Sequence, residues 1–148
     1  MSAIATLAPV TRPVTRTPLA FPADAFAQMI GHMYDGYPLE ACGLLIGQGT
    51  TVRRFVPCAN VAGSARVYTI DPREHLRAER AADDAGLEVI GVAHSHTHSE
   101  PYPSPTDVAQ APDPGWHYVI VSLKRGAPES RSYRIVEGVI SEEPISVA

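Results

Sequence analysis

No apolar run in this chain of 148 residues approaches the roughly 20 residues that a membrane-spanning helix needs, so no membrane role is expected. Cysteine is equally scarce. Cys42 and Cys58 are the only two, lack CxxC spacing, and are too few for a disulfide framework. That usage fits a reducing, cytoplasmic setting, and Cys42, inside an apolar run, reads as a small buried residue. Positive charge is thin: the formal net charge is -4, and Arg53-Arg54 is too short a basic run for a nucleic-acid footprint. Acidic residues are absent from residues 1–22, which instead carry Pro9, Pro13, Pro18 and Pro22. This stretch lacks the basic start and apolar centre of a secretory signal. It is expected to be a flexible tail, leaving residues 23–148 as one domain.

What remains is an ordinary globular composition, 45% hydrophobic and 19% charged, so disorder is not expected. From Asp24, a candidate cap, apolar residues recur at helical spacing through Ala25, Met29 and Met33, until Gly36 and Pro38 stop the helix. The run after Glu40 reads as a strand, turning at Gln48-Gly49 into a second at residues 51–56. Residues 66–70 read as a short strand. Asp71-Pro72 is a helix start, with Leu76 and Ala82 expected to face the core and Arg73, Arg77 and Arg80 to stay wet. Strands follow at 87–93, 116–123 and 130–136, with a last short one near Val139-Ile140. No internal repeat interrupts this. The mixture of strands and two main helices predicts an α+β, or mixed α/β, domain.

One stretch organises the rest. The apolar strand at 87–93 runs into His94-Ser-His96, and residues two apart on a strand share a face, so both imidazoles can reach one point. Asp107 follows after a loop broken by Pro101, Pro103 and Pro105. Two imidazole nitrogens and one carboxylate suit zinc with a fourth tetrahedral position left for water, the arrangement of catalytic rather than structural sites. Ser104 and Asp107, three apart, share a face if residues 104–111 are helical, with Ser104-Pro105 as cap and first residue. His98 is a competing ligand or a rim residue. His75 reads as a helix-surface residue, and His32 and His117 show no constellation around them. Tyr102 and Pro103 are expected to shape the loop beside the cleft.

His94-Ser-His96, Ser104 and Asp107, with Glu40 upstream, resemble the signature of the JAMM (MPN-plus) metallopeptidases. The resemblance covers about residues 24–147 and departs from the usual pattern at Thr97, where proline is common. It implies a curved mixed β-sheet flanked by helices. It also implies a Zn2+ held by His94, His96 and Asp107, Glu40 as proton shuttle, and Ser104 as stabiliser of the tetrahedral intermediate. Spacing alone does not choose Glu40 over Glu88 or Glu100; the resemblance does. The segments Glu40-Ala-Cys-Gly43, residues 99–107 and residues 131–138 are similar to one bacterial branch. Its small peptidases release cysteine from a CysO-type ubiquitin-like sulfur carrier protein with a Gly-Gly C-terminus. That implies a carrier partner, with no nucleic acid and no membrane; a homodimer stays open.

Three other classes share part of this pattern. A broader isopeptidase of deubiquitinase type would act on other conjugates. A zinc deaminase needs a Pro-Cys-x-x-Cys pair that the chain lacks. A non-catalytic module, either a scaffold without metal or a metal-binding protein using His94 to His98, would not need all five polar residues.

Overall fold

The computed structural model describes residues 17–148. The elements in chain order are β1 (Leu19–Phe21), α1 (Ala23–Gly36), β2 (Cys42–Gln48), β3 (Thr51–Cys58), α2 (Pro72–Asp84), β4 (Glu88–His96), α3 (Pro105–Ala109), β5 (His117–Ser122), β6 (Glu129–Val136), β7 (Val139–Glu143) and β8 (Ile145–Val147). The strands form one mixed sheet in the order β7-β6-β5-β4-β2-β3-β1-β8. The expected mixed α/β class is the class found.

The sheet is central because its inner strands are apolar on both faces, and alternation along each strand divides the core in two. Leu45, Ala93, Val119 and Val121 point to one face, where Met29, Met33 and Ala25 of α1 cover them. Leu44, Val92, Tyr118 and Ile120 point to the other, covered by Ala78 and Ala82 of α2. Leu76 was expected on that inner surface but lies outward, 47% exposed. Small alanines occupy the contact face of α2 instead. The helix begins as expected, with the Asp71 carboxylate accepting from the Arg73 N–H and Pro72 at the first position. α1 does not: it follows Pro22, and Asp24 sits inside the first turn, where its carboxylate accepts from its neighbour Ala25.

Two further expectations are corrected. Leu19 and Phe21, placed in the tail by sequence, are buried strand residues; β1 pairs in parallel with both β3 and β8. The remainder of the expected tail, residues 1–16, lies outside the described residues. Residues 66–70 do not form a strand; only an isolated bridge joins Ile70 to Asn60. The Asn60 side chain replaces the ladder. Its amide oxygen accepts from the N–H groups of Ala62 and Thr69, and its NH2 donates to the carbonyls of Glu40 and Val67.

β4 is the strand that positions the site. It runs antiparallel to β2 and parallel to β5. A parallel pair requires a crossover connection, and here residues 97–116 make it, carrying α3 back across the end of β4. Gly91 permits close approach to β5: a Cβ there would lie 2.2 Å from the His117 carbonyl oxygen. No helix among the described residues is long and apolar enough to cross a membrane.

Candidate metal centre

His94 and His96 are the last side chains of β4 on the α2 face, and both are buried. Nε2 of His94 lies 3.2 Å from Asp107 Oδ2, and Nε2 of His96 lies 3.0 Å from the same oxygen. The three donor atoms lie within 4.8 Å of one another, and this is the group among the described residues able to hold a metal ion. The donor set fits a borderline-soft dication of the zinc type. His96 is preset for the role. Its Nδ1–H donates to the Glu100 carbonyl at 2.7 Å, which fixes the ring with Nε2 turned to Asp107 as the nitrogen that would bind the metal. The His94 ring is stacked on Tyr68, with centroids 4.3 Å apart.

The order of α3 places the carboxylate. Asp107 is its third residue and closes a capping box with Ser104: Ser104 Oγ accepts from the Asp107 N–H, and Asp107 Oδ2 accepts from the Ser104 N–H. Because that cap uses Ser104 Oγ as acceptor, its own O–H proton remains available for donation. Burial pushes the Asp107 carboxyl up, but the hydrogen bonds from both imidazoles outweigh it and hold it well below the usual carboxylate range. Burial pulls His94 down. It also pulls on His96, where the bonds to Asp107 and to the Glu100 carbonyl prevail and raise it.

Glu40 is brought to the same cleft from the residue pair before β2. Ser95, which points to the opposite face from its histidine neighbours, holds it there. The Ser95 hydroxyl accepts from the Ala41 N–H at 2.8 Å, and the Ser95 N–H donates to the Ala41 carbonyl. Glu40 Oε1 is buried and has no hydrogen-bond partner. Burial, opposed by His96 and reinforced by Asp107, pushes its pKa to about 8. A cleft of about 520 Å³ opens here, lined by Glu40, His96 and Ser104 together with Ala65, Arg66, Thr97, His98 and Ser99. Of the three carboxylates that spacing left open, Glu40 is the one lining it. Glu88 sits exposed at the far end of β4, and the Glu100 carboxylate is gripped by Lys124 and Arg125, which lower it to about 2.

The remaining sequence candidates separate clearly. His98 is exposed at the cleft rim, 3.5 Å from the Tyr37 hydroxyl, and stands outside the three-donor group. Thr97 donates to the Ala65 carbonyl at 3.3 Å, tying the 59–70 loop to the end of β4. Cys42 and Cys58 are free and buried, with their thiols pushed up to about 12 and about 11, first by burial. The reading of His32 and His117 as unaccompanied is wrong. His32 Nε2 reaches the carbonyls of Cys42 and Cys58. His117 Nδ1 lies 2.6 Å from Glu143, which also accepts from Ser132, and Nε2 reaches the Gly49 carbonyl. Sequence reasoning missed Ser95, Asn60 and Tyr68. Ser95 carried a signal, a polar residue flanked by two inward histidines. Asn60 and Tyr68 carried none, because the contacts that tie them to the site, Asn60 to the Glu40 carbonyl and Tyr68 to the His94 ring, join positions far apart in the chain.

The family of prokaryotic homologs of the JAB domain matches residues 22–136. A CysO-cysteine peptidase of Mycobacterium tuberculosis is 42% identical over 132 residues, covering 87% of this chain and 90% of the relative. A desampylase of Haloferax volcanii is 38% identical over 116 residues, covering 74% of this chain and 84% of the relative. Among solved structures, a protein of Desulfitobacterium hafniense superposes with a TM-score of 0.77 at 32% identity, covering 87% of this chain and 92% of that one. With a matching domain over most of its length and peptidase relatives spanning nearly all of theirs, the chain belongs to the prokaryotic JAB-domain family of JAMM hydrolases, close to the CysO-cysteine peptidases.

Proposed function

We propose that this protein hydrolyses the amide joining the C-terminal Gly-Gly of a ubiquitin-like sulfur carrier protein to a single cysteine, in a zinc-dependent reaction that frees cysteine and restores the carrier. One observation carries the chemistry: two imidazole nitrogens and a carboxylate oxygen converge beside a buried glutamate oxygen that has no partner. The 42% identity to a CysO-cysteine peptidase supports the substrate.

His94, His96 and Asp107 would hold the zinc, which when bound supplies a Lewis acid at the scissile carbonyl and acidifies water. Glu40 takes the proton of the attacking water on its free oxygen and passes it to the leaving nitrogen, a role suited to a buried carboxyl with one oxygen unpartnered in the cleft beside the three candidate ligands. Ser104 donates its hydroxyl proton to the oxyanion as it develops. A narrow chain end reaches the site best as an extended strand, and glycines are the residues that pass close to the buried ligands without steric conflict. Both cysteines are free thiols, which supports a cytoplasmic reaction.

The second reading, an isopeptidase acting on lysine-linked conjugates, draws support from the 38% identity to a desampylase. The test offers the zinc-loaded protein a carrier–cysteine adduct and the same carrier joined to a lysine side chain, with both followed by intact mass. Release of cysteine supports the first reading. Cleavage of the lysine conjugate alone refutes it.

A further inference from the structure

The two candidate substrates differ in one charge next to the bond that breaks. In a carrier–cysteine adduct the residue beyond the scissile amide ends in a free α-carboxylate. In a lysine conjugate the leaving nitrogen sits on an alkyl chain, with no carboxylate nearby. The described cleft holds a group able to tell these apart. Of its lining residues, Arg66 is the one with a fixed positive charge, standing among the carboxylate of Glu40 and neutral or titrating side chains.

The loop that carries Arg66 is held by named bonds. The Arg66 N–H donates to Ser64 Oγ at 3.0 Å, and the next N–H, of Val67, donates to the same oxygen. The Ala65 carbonyl accepts from Thr97, the residue after ligand His96. Asn60 donates to the carbonyls of both Glu40 and Val67, and the Glu40 N–H donates to the Ser64 carbonyl. Arg66 and Glu40 therefore belong to one wall of the cleft, connected through a few hydrogen bonds. The Arg66 guanidinium forms none of the ion pairs found among the described residues. Lys124 and Arg125, by contrast, are occupied by Glu100.

Substrate geometry joins these observations. The leaving nitrogen must come to Glu40 to receive its proton, and in an amino acid the carboxylate carbon lies only about 2.5 Å from that nitrogen. A carboxylate so placed is repelled by the ionised form of Glu40 and needs a counter-charge on the same wall. A guanidinium meets a carboxylate with two parallel N–H donors, a geometry a water-exposed ammonium does not match.

We propose that Arg66 is the specificity residue that binds the free α-carboxylate of the leaving amino acid, making the cleft selective for a single C-terminal residue over an internal or side-chain amide. This rests on the carrier–cysteine reading above. The experiment compares kcat/KM of the zinc-loaded protein, Arg66→Ala and Arg66→Lys on a carrier–cysteine adduct and on the same adduct ending in cysteine carboxamide. The two substrates share the scissile bond and differ in the one charge. Wild type is expected to favour the free acid by about tenfold, the scale of one partly exposed charge-assisted contact. In Arg66→Ala that preference collapses, chiefly through KM, and Arg66→Lys restores part of it. Equal cleavage of acid and amide by wild type, or an unchanged preference in Arg66→Ala, overturns the assignment while leaving the proposed function standing. Failure of wild type to cleave either adduct refutes the proposed function, and this inference with it.

Discussion

Replacing Glu40 by glutamine separates what this carboxyl contributes to chemistry from what it costs the fold. In the metal-free protein burial lifts Glu40 from 4.5 to about 8. The unfolded chain therefore releases this proton above about pH 4.5, whereas the native protein keeps it until about pH 8. Across that window the native state binds more protons, so stability falls as pH rises. At about 1.4 kcal/mol for each pKa unit, the full excursion amounts to about 5 kcal/mol if the site stays closed to water. Glutamine fills the same volume and carries no titratable proton. Chelator-treated wild type and Glu40→Gln should thus have similar stability near pH 4.5, diverge with rising pH, and differ by a constant several kcal/mol above pH 8. The variant is the more stable there. Urea unfolding followed through the single tryptophan, Trp116, measures both curves. Zinc-loaded Glu40→Gln should remain folded, retain its metal, and lose about 10² to 10⁴ in turnover. Parallel stability curves between pH 5 and pH 8 would show that Glu40 is hydrated, and near-normal turnover would move the proton shuttle elsewhere; either result refutes the reasoning.

Asp107→Ala should lose zinc and activity, whereas His98→Ala should keep both; metal analysis giving the opposite pattern overturns the ligand assignment. Ser104→Ala should lower kcat with little change in KM. It also removes one half of the α3 cap, at about 1 kcal/mol read by thermal unfolding. Glu143→Ala leaves His117 Nδ1 and the Ser132 hydroxyl buried without their partner, at about 1–3 kcal/mol each. Burial raises Glu143, but the bonds from His117 and Ser132 prevail and lower it. Its contribution is therefore present above the ordinary carboxylate value and lost as pH falls through the depressed one. The variant's stability should show a weaker decline on acidification, and an unchanged acid limb would contradict that account.

Local rules carried furthest where a motif spans few residues. His94 and His96 share a face because strand geometry has a period of two, and Ser104-Pro105-Thr-Asp107 makes a capping box from its own side chains. The two helices and the strands flanking them were legible for the same reason: periodicity and caps are written within a dozen residues. Errors arose where a distant partner overrode the local pattern. Leu19 and Phe21 look like a proline-rich tail until β8, more than a hundred residues later, provides a strand for them to pair with. Residues 66–70 have strand-forming composition, but the Asn60 side chain takes their backbone hydrogen bonds. His117 is unremarkable in its neighbourhood and is joined to Glu143 only because β5, β6 and β7 stack side by side in the sheet.

By itself, then, the sequence determined that His94 and His96 share one strand face near a capping Ser104 and Asp107, and it determined the mixed helix–strand class, since each depends on the chemistry and spacing of neighbouring residues. Spacing did not choose among the carboxylates, and tertiary structure alone decided how Ser95 and Asn60 fix Glu40 in the cleft and that Arg66 shares its wall. Those outcomes depend on β2 pairing with β4 and on a loop folding back over both, contacts between residues tens of positions apart that no local pattern encodes.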